Sequence, residues 1–327
     1  MKQLNIVAAL GCALMLTGSL SCKKIEKGFL SPNVRYVNGV ISVPRGMTYV
    51  ASEGIGADGS TPPFSYKLLN LRNKDNGQPA PKEFFTKYDV DVFKTGMVFN
   101  AATDTTIALL NKKREKLNTT PMIFNEKSGQ LVFNRASANL PLGNYIFDVE
   151  MTNPNGTRLF PNLGEIKVVD PSLQDYFQVT YQATNGSSST EQFTATTAPL
   201  ITCERISGSG ARIYLKITDK NNVPFNPKAG EVIRRGDRPR FETHAKFNPV
   251  QLTDSEMICD FEVAPFPLTG YKDAVTDWGF LMYYRIPMAY ANIDNLPNNN
   301  VNPAFAFRIL LEGTYVVTIK LPSVTHK

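Results

Sequence analysis

The sequence has 327 residues, a net charge of +6 and two histidines. This length corresponds to about two domains, at roughly 150 residues per domain. The basic residues are scattered, which argues against a nucleic-acid-binding protein, and the few histidines and cysteines form no closely spaced zinc-ligand set. We therefore expect no nucleic-acid partner, no metal and no cofactor.

The first 21 residues have the pattern of an export signal. Lys2 supplies a positive charge, residues 6–16 are apolar, and small residues lead up to Cys22. The apolar segment is shorter than the ~20 residues that a membrane-spanning helix needs. The sequence therefore predicts a signal peptide over residues 1–21 that is cleaved before Cys22.

The end of this signal, Ser19-Leu20-Ser21-Cys22, resembles the lipobox of bacterial lipoproteins, although its leucine stands one place late. The resemblance implies a lipid on Cys22, a membrane anchor through that lipid, and a short tether over residues 22–32. Lys23 follows the cysteine, and by the rules of that family this residue favours the outer membrane. The cell surface and the periplasmic face both stay open, and plain secretion is the alternative.

Short β-type segments separated by turn residues occupy residues 33–170. Apolar and polar residues alternate over 145–151, which predicts a half-buried strand, and Asn155-Gly156 predicts the hairpin after it. One short helix is expected near residues 104–117, with Asp104 or Thr105 as its cap and Leu117 on its apolar stripe.

Residues 124–169 combine a glycine-containing turn, the corner Pro141-Leu142-Gly143-Asn144-Tyr145 and the Asn-Gly hairpin. This stretch resembles the end of an immunoglobulin-like or cadherin-like β-sandwich. The chain as a whole resembles Bacteroidota outer-membrane lipoproteins of unknown function. The resemblance implies an immunoglobulin-like sandwich over residues 33–170 and leaves the ligand open.

A proline at position 171 marks the boundary of the second expected domain, residues 171–327. Residues 305–311 and 314–321 are expected to close this domain as a hairpin around Glu312-Gly313. We predict a second β-sandwich with longer loops, so that the whole chain is all-β. Cys203 and Cys259 could form a disulfide in an oxidising compartment, and two free thiols are the equal alternative.

Aromatic residues are concentrated near the middle of the second domain. Aromatic rings stack on the apolar faces of sugars, so these residues are candidates for binding carbohydrate, and filling of the core is the alternative. The candidates are Tyr271, Trp278, Tyr283 and Tyr290. Nearby, residues 234–240 hold four arginines, which predict a solvated loop or, alternatively, a contact with an acidic polysaccharide or a lipid headgroup.

Clustered carboxylates are the remaining enzymatic option, because glycoside hydrolysis needs two of them across a cleft. The clusters comprise Asp254, Glu256, Asp260 and Glu262, followed by Asp273 and Asp277. The alternation of these acids is typical of the wet face of a strand. We therefore expect a non-catalytic cell-envelope lipoprotein that binds carbohydrate. A structural or adhesive lipoprotein with an outer-membrane protein partner is the alternative, and a glycoside hydrolase comes third.

Overall fold

The computed structural model describes residues 28–327, so the expected signal peptide, Cys22 and residues 22–27 of the expected tether lie outside the described residues. Within 28–327 the chain is all-β, as the sequence predicts, with twenty-three strands and three short helices. No helix in this part is long and apolar enough to cross a bilayer.

Nine strands precede residue 170. They are Val40–Pro44 (β1), Tyr49–Ala51 (β2), Ser65–Asn73 (β3), Tyr88–Phe93 (β4), Arg114–Thr119 (β5), Met122–Phe124 (β6), Leu131–Asn134 (β7), Gly143–Asn153 (β8) and Gly156–Val169 (β9).

Fourteen strands follow residue 170. They are Phe177–Ser187 (β10), Phe193–Thr196 (β11), Leu200–Ser207 (β12), Ala211–Thr218 (β13), Ile233–Arg234 (β14), Gln251–Leu252 (β15), Met257–Asp260 (β16), Tyr271–Lys272 (β17), Asp277–Gly279 (β18), Leu281–Arg285 (β19), Ala291–Ile293 (β20), Asn300–Ile309 (β21), Gly313–Lys320 (β22) and Val324–His326 (β23).

The three helices are Ile107–Lys112 (α1), Leu173–Tyr176 (α2) and Phe241–His244 (α3). Helix α1 confirms the helix expected near residues 104–117, but it is shorter than the pattern indicated. Its cap is Thr106, whose hydroxyl accepts from the Leu109 amide at 3.2 Å. The chain after α1 pairs with β4 as strand β5, which places Leu117 on an exposed strand instead of a helical stripe.

The first half contains two facing sheets, in the strand orders β1-β9-β8-β3 and β2-β7-β6, and the separate two-stranded sheet β4-β5. Buried apolar side chains from both sheets, such as Val43, Phe133 and Phe147, form one continuous cluster between them. Strand β1 pairs in parallel with β9, whereas β8 and β9 form the antiparallel hairpin that Asn155-Gly156 predicts. This half is therefore a β-sandwich.

The part of the expected tether that the structure describes lies against this first sandwich. The Ser31 side chain is buried, its hydroxyl donates to Asp58 at 2.6 Å, and its amide donates to the Ser60 hydroxyl at 2.9 Å. The Phe29 carbonyl accepts from the Thr61 amide at 2.8 Å. These contacts hold residues 29–31 on the sandwich surface.

The second half contains two five-stranded sheets, in the orders β11-β10-β21-β19-β14 and β12-β22-β13-β16-β15. Apolar side chains of both sheets, among them Phe305, Tyr315 and Val317, form a second buried cluster. The prediction of a hairpin around Glu312-Gly313 is wrong, because β21 lies in the first of these sheets and β22 in the second. Strand β22 pairs with β12 and β13 instead, so the turn crosses from sheet to sheet.

Each half contains a tyrosine corner. The Tyr145 hydroxyl donates to the Pro141 carbonyl at 3.1 Å, and the Tyr315 hydroxyl donates to the Leu311 carbonyl at 2.8 Å. A glycine stands two residues before each tyrosine, with φ of 147° at Gly143 and 157° at Gly313, in the region that favours glycine. Strands β8 and β22 therefore both start with a tyrosine corner.

Cys203 and Cys259 are free thiols, and the disulfide between them that was considered from the sequence is not formed. Cys203 is on β12 and Cys259 on β16, and β22 and β13 lie between these strands. Three inter-strand steps amount to about 14 Å, well beyond the ~7 Å limit for the Cα atoms of a disulfide. Burial raises the pKa of each thiol to about 12.

Candidate functional site

Trp278 lies on the hairpin of β17 and β18, where a single carboxylate organises the turn. Asp273 accepts hydrogen bonds from the Val275 amide at 2.8 Å and the Thr276 amide at 2.6 Å. The same side chain accepts from the indole Nε1 of Trp278 at 2.7 Å. These bonds hold the pKa of Asp273 below its usual range, with the indole bond as the largest cause. The carboxylate therefore stays ionised and fixes the half-buried indole.

The two strands of this hairpin approach each other unusually closely at one point. A Cβ atom at Gly270 would lie 2.9 Å from the Cα of Gly279, so a larger residue would push the strands apart. Gly279 itself has a φ of 56°, which favours glycine. The two glycines therefore let the chain fold back so that Trp278 faces strand β19.

Tyr283 supplies the second ring from strand β19. Its neighbours Met282 and Tyr284 are in the buried core, and because strand residues alternate, Tyr283 lies on the opposite face of the sheet. The Tyr283 and Trp278 ring centroids are 5.7 Å apart at an interplanar angle of 82°. This edge-to-face arrangement is one of the two that aromatic pairs prefer.

Two arginines from the loop after β14 lie on these rings. The loop is held to β19 because the Tyr283 amide donates to the Pro239 carbonyl at 2.8 Å. The Arg238 guanidinium carbon is 4.9 Å from the Tyr283 centroid and 5.6 Å from the Trp278 centroid. The Arg235 guanidinium carbon is 5.8 Å from the Tyr283 centroid. All three distances lie within the ~6 Å range of cation–π attraction.

A fifth residue, Phe193, comes from the edge strand β11, which lies at the other side of the same sheet. The Arg235 guanidinium carbon is 4.8 Å from the Phe193 ring centroid, and 50% of Phe193 remains exposed. Aromatic rings and guanidinium groups thus alternate across the surface. We refer to this set as the arginine–aromatic ladder, which consists of Phe193, Arg235, Tyr283, Arg238 and Trp278.

The ladder carries positive charge that the surrounding carboxylates do not pair with. Across residues 28–327, neither Arg235 nor Arg238 makes an ion pair, whereas Arg234 pairs with Asp237 at 3.0 Å. Arg235 is 8% exposed, and burial is the main cause that lowers the pKa of its guanidinium. The charges of Arg238 and Arg285 lower it further.

Other acids near the ladder already have partners. Glu191 accepts two hydrogen bonds from the Arg285 guanidinium, both at 2.8 Å, and its charge also acts on Arg235 without forming an ion pair with it. Asp273 is bonded to the indole, and Asp277 accepts from the Gly279 amide at 3.0 Å. The ladder therefore offers rings and guanidinium donors together at one surface.

The structure brings together two of the four aromatic candidates, Trp278 and Tyr283. Tyr271 is half-buried on β17 of the same hairpin, paired with Gly279. Tyr290 lies in the turn after β19, where the Lys327 amide donates to its carbonyl at 2.9 Å. In the part of the chain that the structure describes, Tyr290 makes no ring contact with Trp278 or Tyr283.

Sequence reasoning treated the basic loop and the aromatic group as separate features and did not include Phe193. The loop and Trp278 are about forty residues apart in the chain, and Phe193 lies about forty residues before the loop. Nothing in the local pattern of Phe193 distinguishes it from other exposed strand residues. Sheet pairing brings these segments to the same surface.

The clustered carboxylates are occupied by other contacts. Asp260 accepts two bonds from the Arg212 guanidinium, at 2.6 and 2.9 Å, which hold its pKa below the usual range. Glu256 lies 3.3 Å from the Lys216 ammonium. Burial raises the pKa of Glu262, which accepts from the Asn248 amide group at 3.1 Å. Arg212 and Asp260 are directly opposite each other on β13 and β16, so their ion pair joins these two strands.

His244, the histidine that a catalytic triad would need, is buried on α3. Its Nε2 lies 3.1 Å from the Leu281 carbonyl, and burial lowers the pKa of its imidazole. A backbone carbonyl therefore occupies the ring nitrogen that a nucleophile would use. Among residues 28–327, no three or more Cys, His, Asp or Glu side chains are grouped to hold a metal ion.

No protein-family model and no curated protein matches this chain. Among solved structures, it is similar to a SusE-like surface located polysaccharide binding protein from the Bacteroides thetaiotaomicron heparin utilisation locus, with 9% sequence identity and a TM-score of 0.22. The similarity covers 88% of this chain and 53% of that chain, so this chain spans about half the length of that protein.

Proposed function

We propose that this chain is a non-catalytic, lipid-anchored protein of the outer membrane that binds carbohydrate at the arginine–aromatic ladder. The observation that supports this most is the position of Trp278, the one tryptophan of the sequence. Its indole is fixed by Asp273, contacts Tyr283 and lies beside the Arg238 guanidinium. A rigid ring beside fixed polar groups is the combination with which proteins bind sugars.

The roles within the ladder follow from chemistry. The indole of Trp278 provides an apolar face for a sugar ring, and burial of C–H groups there removes apolar surface from water. The Arg238 guanidinium provides N–H donors for hydroxyl groups or ring oxygens at the edge of the same sugar. Because Asp273 holds the indole before any ligand arrives, binding costs little side-chain entropy.

The remaining parts of the chain serve to position this surface. Lipid on Cys22 would anchor the chain, and the first sandwich would act as a spacer that holds the second away from the membrane. We place the boundary between these two units near residue 170. On this proposal the ladder faces material outside the lipid layer, where polysaccharides are present.

The second candidate function is binding of another protein, and one observation favours it. Strand β12 is at the edge of its sheet, with Leu200 56% and Ile206 52% exposed. Exposed edge strands can pair with a strand from another chain. The same strand also carries Glu204 and Arg205, and charged side chains on an edge strand oppose such pairing.

Affinity electrophoresis against a panel of neutral and acidic polysaccharides tests the proposal. We would compare the mature chain, without its lipidated cysteine, with Trp278→Ala and with Tyr290→Ala, which removes an aromatic side chain outside the ladder. The proposal expects a polysaccharide that retards the parent and Tyr290→Ala but not Trp278→Ala. Retardation that survives Trp278→Ala would exclude the ladder as the site, and no retardation on any polymer would favour the protein-binding alternative.

A further inference from the structure

The arginines around the ladder fall into two groups. Four of those outside it have a carboxylate partner: Arg234 with Asp237, Arg240 with Glu242, Arg285 with Glu191, and Arg212 with Asp260. Arg308, also outside it, lies over the Phe280 ring. The two within it, Arg235 and Arg238, have aromatic rings instead of carboxylates in the described structure. Two guanidinium groups that make no ion pair within residues 28–327 therefore lie together at the candidate surface.

This arrangement has an energetic cost in the free protein. Arg235 is almost fully buried, and removing a guanidinium from water is unfavourable unless another group compensates it. Cation–π contacts with Phe193 and Tyr283 compensate part of that cost. The like charge of Arg238 adds to it. An anion that reached both guanidinium groups would relieve this repulsion.

The chemistry of the guanidinium group indicates which class of ligand fits this surface. Its planar, forked N–H donors match carboxylate and sulfate oxygens in pairs, and such charge-assisted bonds are about twice as strong as neutral ones. A neutral sugar can accept hydrogen bonds from these donors but leaves both positive charges uncompensated, whereas an anionic group compensates them. The aromatic rings of the same ladder are suited to the sugar ring that carries the anionic group.

We propose that the polysaccharide bound by the ladder is anionic, and that Arg238, assisted by Arg235, binds its carboxylate or sulfate groups. This inference rests on the proposed carbohydrate-binding function and adds the class of ligand. Trp278 contacts the sugar ring while Arg238 binds the charged substituent. Asp273, Asp277, Asp237 and Glu191 lie near the ladder in the chain or through its partners and repel an anion, so that substituent would bind against the guanidinium groups.

The test uses polymers that differ in charge alone. The uronate arm compares polygalacturonate with the same polymer after reduction of its carboxyl groups, and the sulfate arm compares dextran sulfate with dextran. Binding of the mature chain is measured by isothermal titration calorimetry at ~0.15 M salt, where the Debye length of about 8 Å suppresses long-range attraction. We expect one arm to show at least about tenfold tighter binding of the charged polymer, as for a charge-assisted contact.

Two variants with the same loss of net charge separate a specific contact from general attraction to a basic protein. Arg238→Gln removes a ladder guanidinium, whereas Arg234→Gln removes an exposed guanidinium of the same loop that already pairs with Asp237. We expect Arg238→Gln to weaken binding about tenfold or more and Arg234→Gln less than about threefold. Arg238→Lys keeps the charge but loses the fork, so its affinity should lie between these. Thermal unfolding of each variant checks that it is folded.

Four results would overturn the inference. Equal weakening by Arg234→Gln and Arg238→Gln would show attraction by net charge alone. Preference for the neutral member of each pair, with dependence on Trp278, would reject the anionic ligand while the carbohydrate-binding function stands. Equal affinity for the charged and the neutral polymer of each pair would also reject the anionic ligand while the carbohydrate-binding function stands. Binding to vesicles of phosphatidylglycerol and phosphatidylcholine, but to no polysaccharide, would assign the ladder to lipid headgroups and reject both proposals.

Discussion

Both sandwiches contain a tyrosine corner, but Arg72 of the first and the ladder arginines of the second have different partners. In the first, Arg72 donates to Asp148 at 3.0 Å, and Asn70 and the Asn162 amide donate to the same carboxylate at 2.8 Å each. In the second, the guanidinium groups of Arg235 and Arg238 lie over aromatic rings and make no ion pair within residues 28–327. A guanidinium that is bonded to a carboxylate stabilises the fold, whereas one that lies over rings keeps N–H donors available to a ligand.

The largest expected effect is in the first sandwich. Asp148→Ala removes the buried acceptor shared by Arg72, Asn70 and Asn162, and leaves a guanidinium without its partner. We expect the free energy of unfolding to fall by about 3 kcal/mol, measured by urea denaturation. The matched control is Asp170→Ala, which breaks the more exposed pair with Arg45 and should cost less than about 1 kcal/mol. Equal losses would remove the contrast between buried and exposed pairs.

The same carboxylate predicts a dependence of stability on pH. Burial opposes the charge of Asp148, but the hydrogen bonds from Asn162, Asn70 and Arg72 prevail and hold its pKa below the usual range. A depressed pKa contributes stability that is present above the unfolded value of about 4 and is lost as the pH falls through the folded value. Between pH 5 and pH 2 the parent should therefore lose more stability than Asp148→Asn. Parallel curves for the two proteins would contradict this assignment.

The two tyrosine corners should contribute equally to the stability of the fold. Tyr145→Phe and Tyr315→Phe each remove one hydroxyl that donates to a backbone carbonyl. We expect each substitution to lower the free energy of unfolding by about 1 kcal/mol, the net value of one hydrogen bond. Tyr290→Phe, in an exposed turn, should change it by less than about 0.5 kcal/mol. A loss at only one of the corners would show that the two serve different purposes.

The smallest change in stability is expected in the ladder itself. Arg238→Gln loses cation–π contacts with Tyr283 and Trp278 but also relieves repulsion with Arg235, and these two effects oppose each other. We expect the free energy of unfolding to stay within about 1 kcal/mol of the parent, since such contacts are worth about 0.5–1 kcal/mol at exposed sites. A loss of stability as large as that caused by Asp148→Ala would show that Arg238 is a structural residue, like Arg72, and not one that is available to a ligand.

The sequence predicted elements well where the signal was local. Alternation over residues 145–151 indicated β8, the Asn155-Gly156 pair indicated its hairpin, and Tyr145 indicated the first corner. The second corner was not found because Leu311 replaces the proline of the first. The end of α1 was placed too late, since pairing of β5 with β4 overrode the helical pattern of its residues.

Local pattern by itself determined that this chain is all-β, because the period of apolar residues along a strand is set by the strand's own geometry. It also marked Trp278 and the basic loop as separate features. The tertiary structure alone decided that the turn at Gly313 crosses between sheets, that Cys203 and Cys259 lie three strands apart, and that Phe193 joins the ladder. Such outcomes depend on which strands pair across long stretches of chain, and that choice is made by burial of the whole core and not by any one segment.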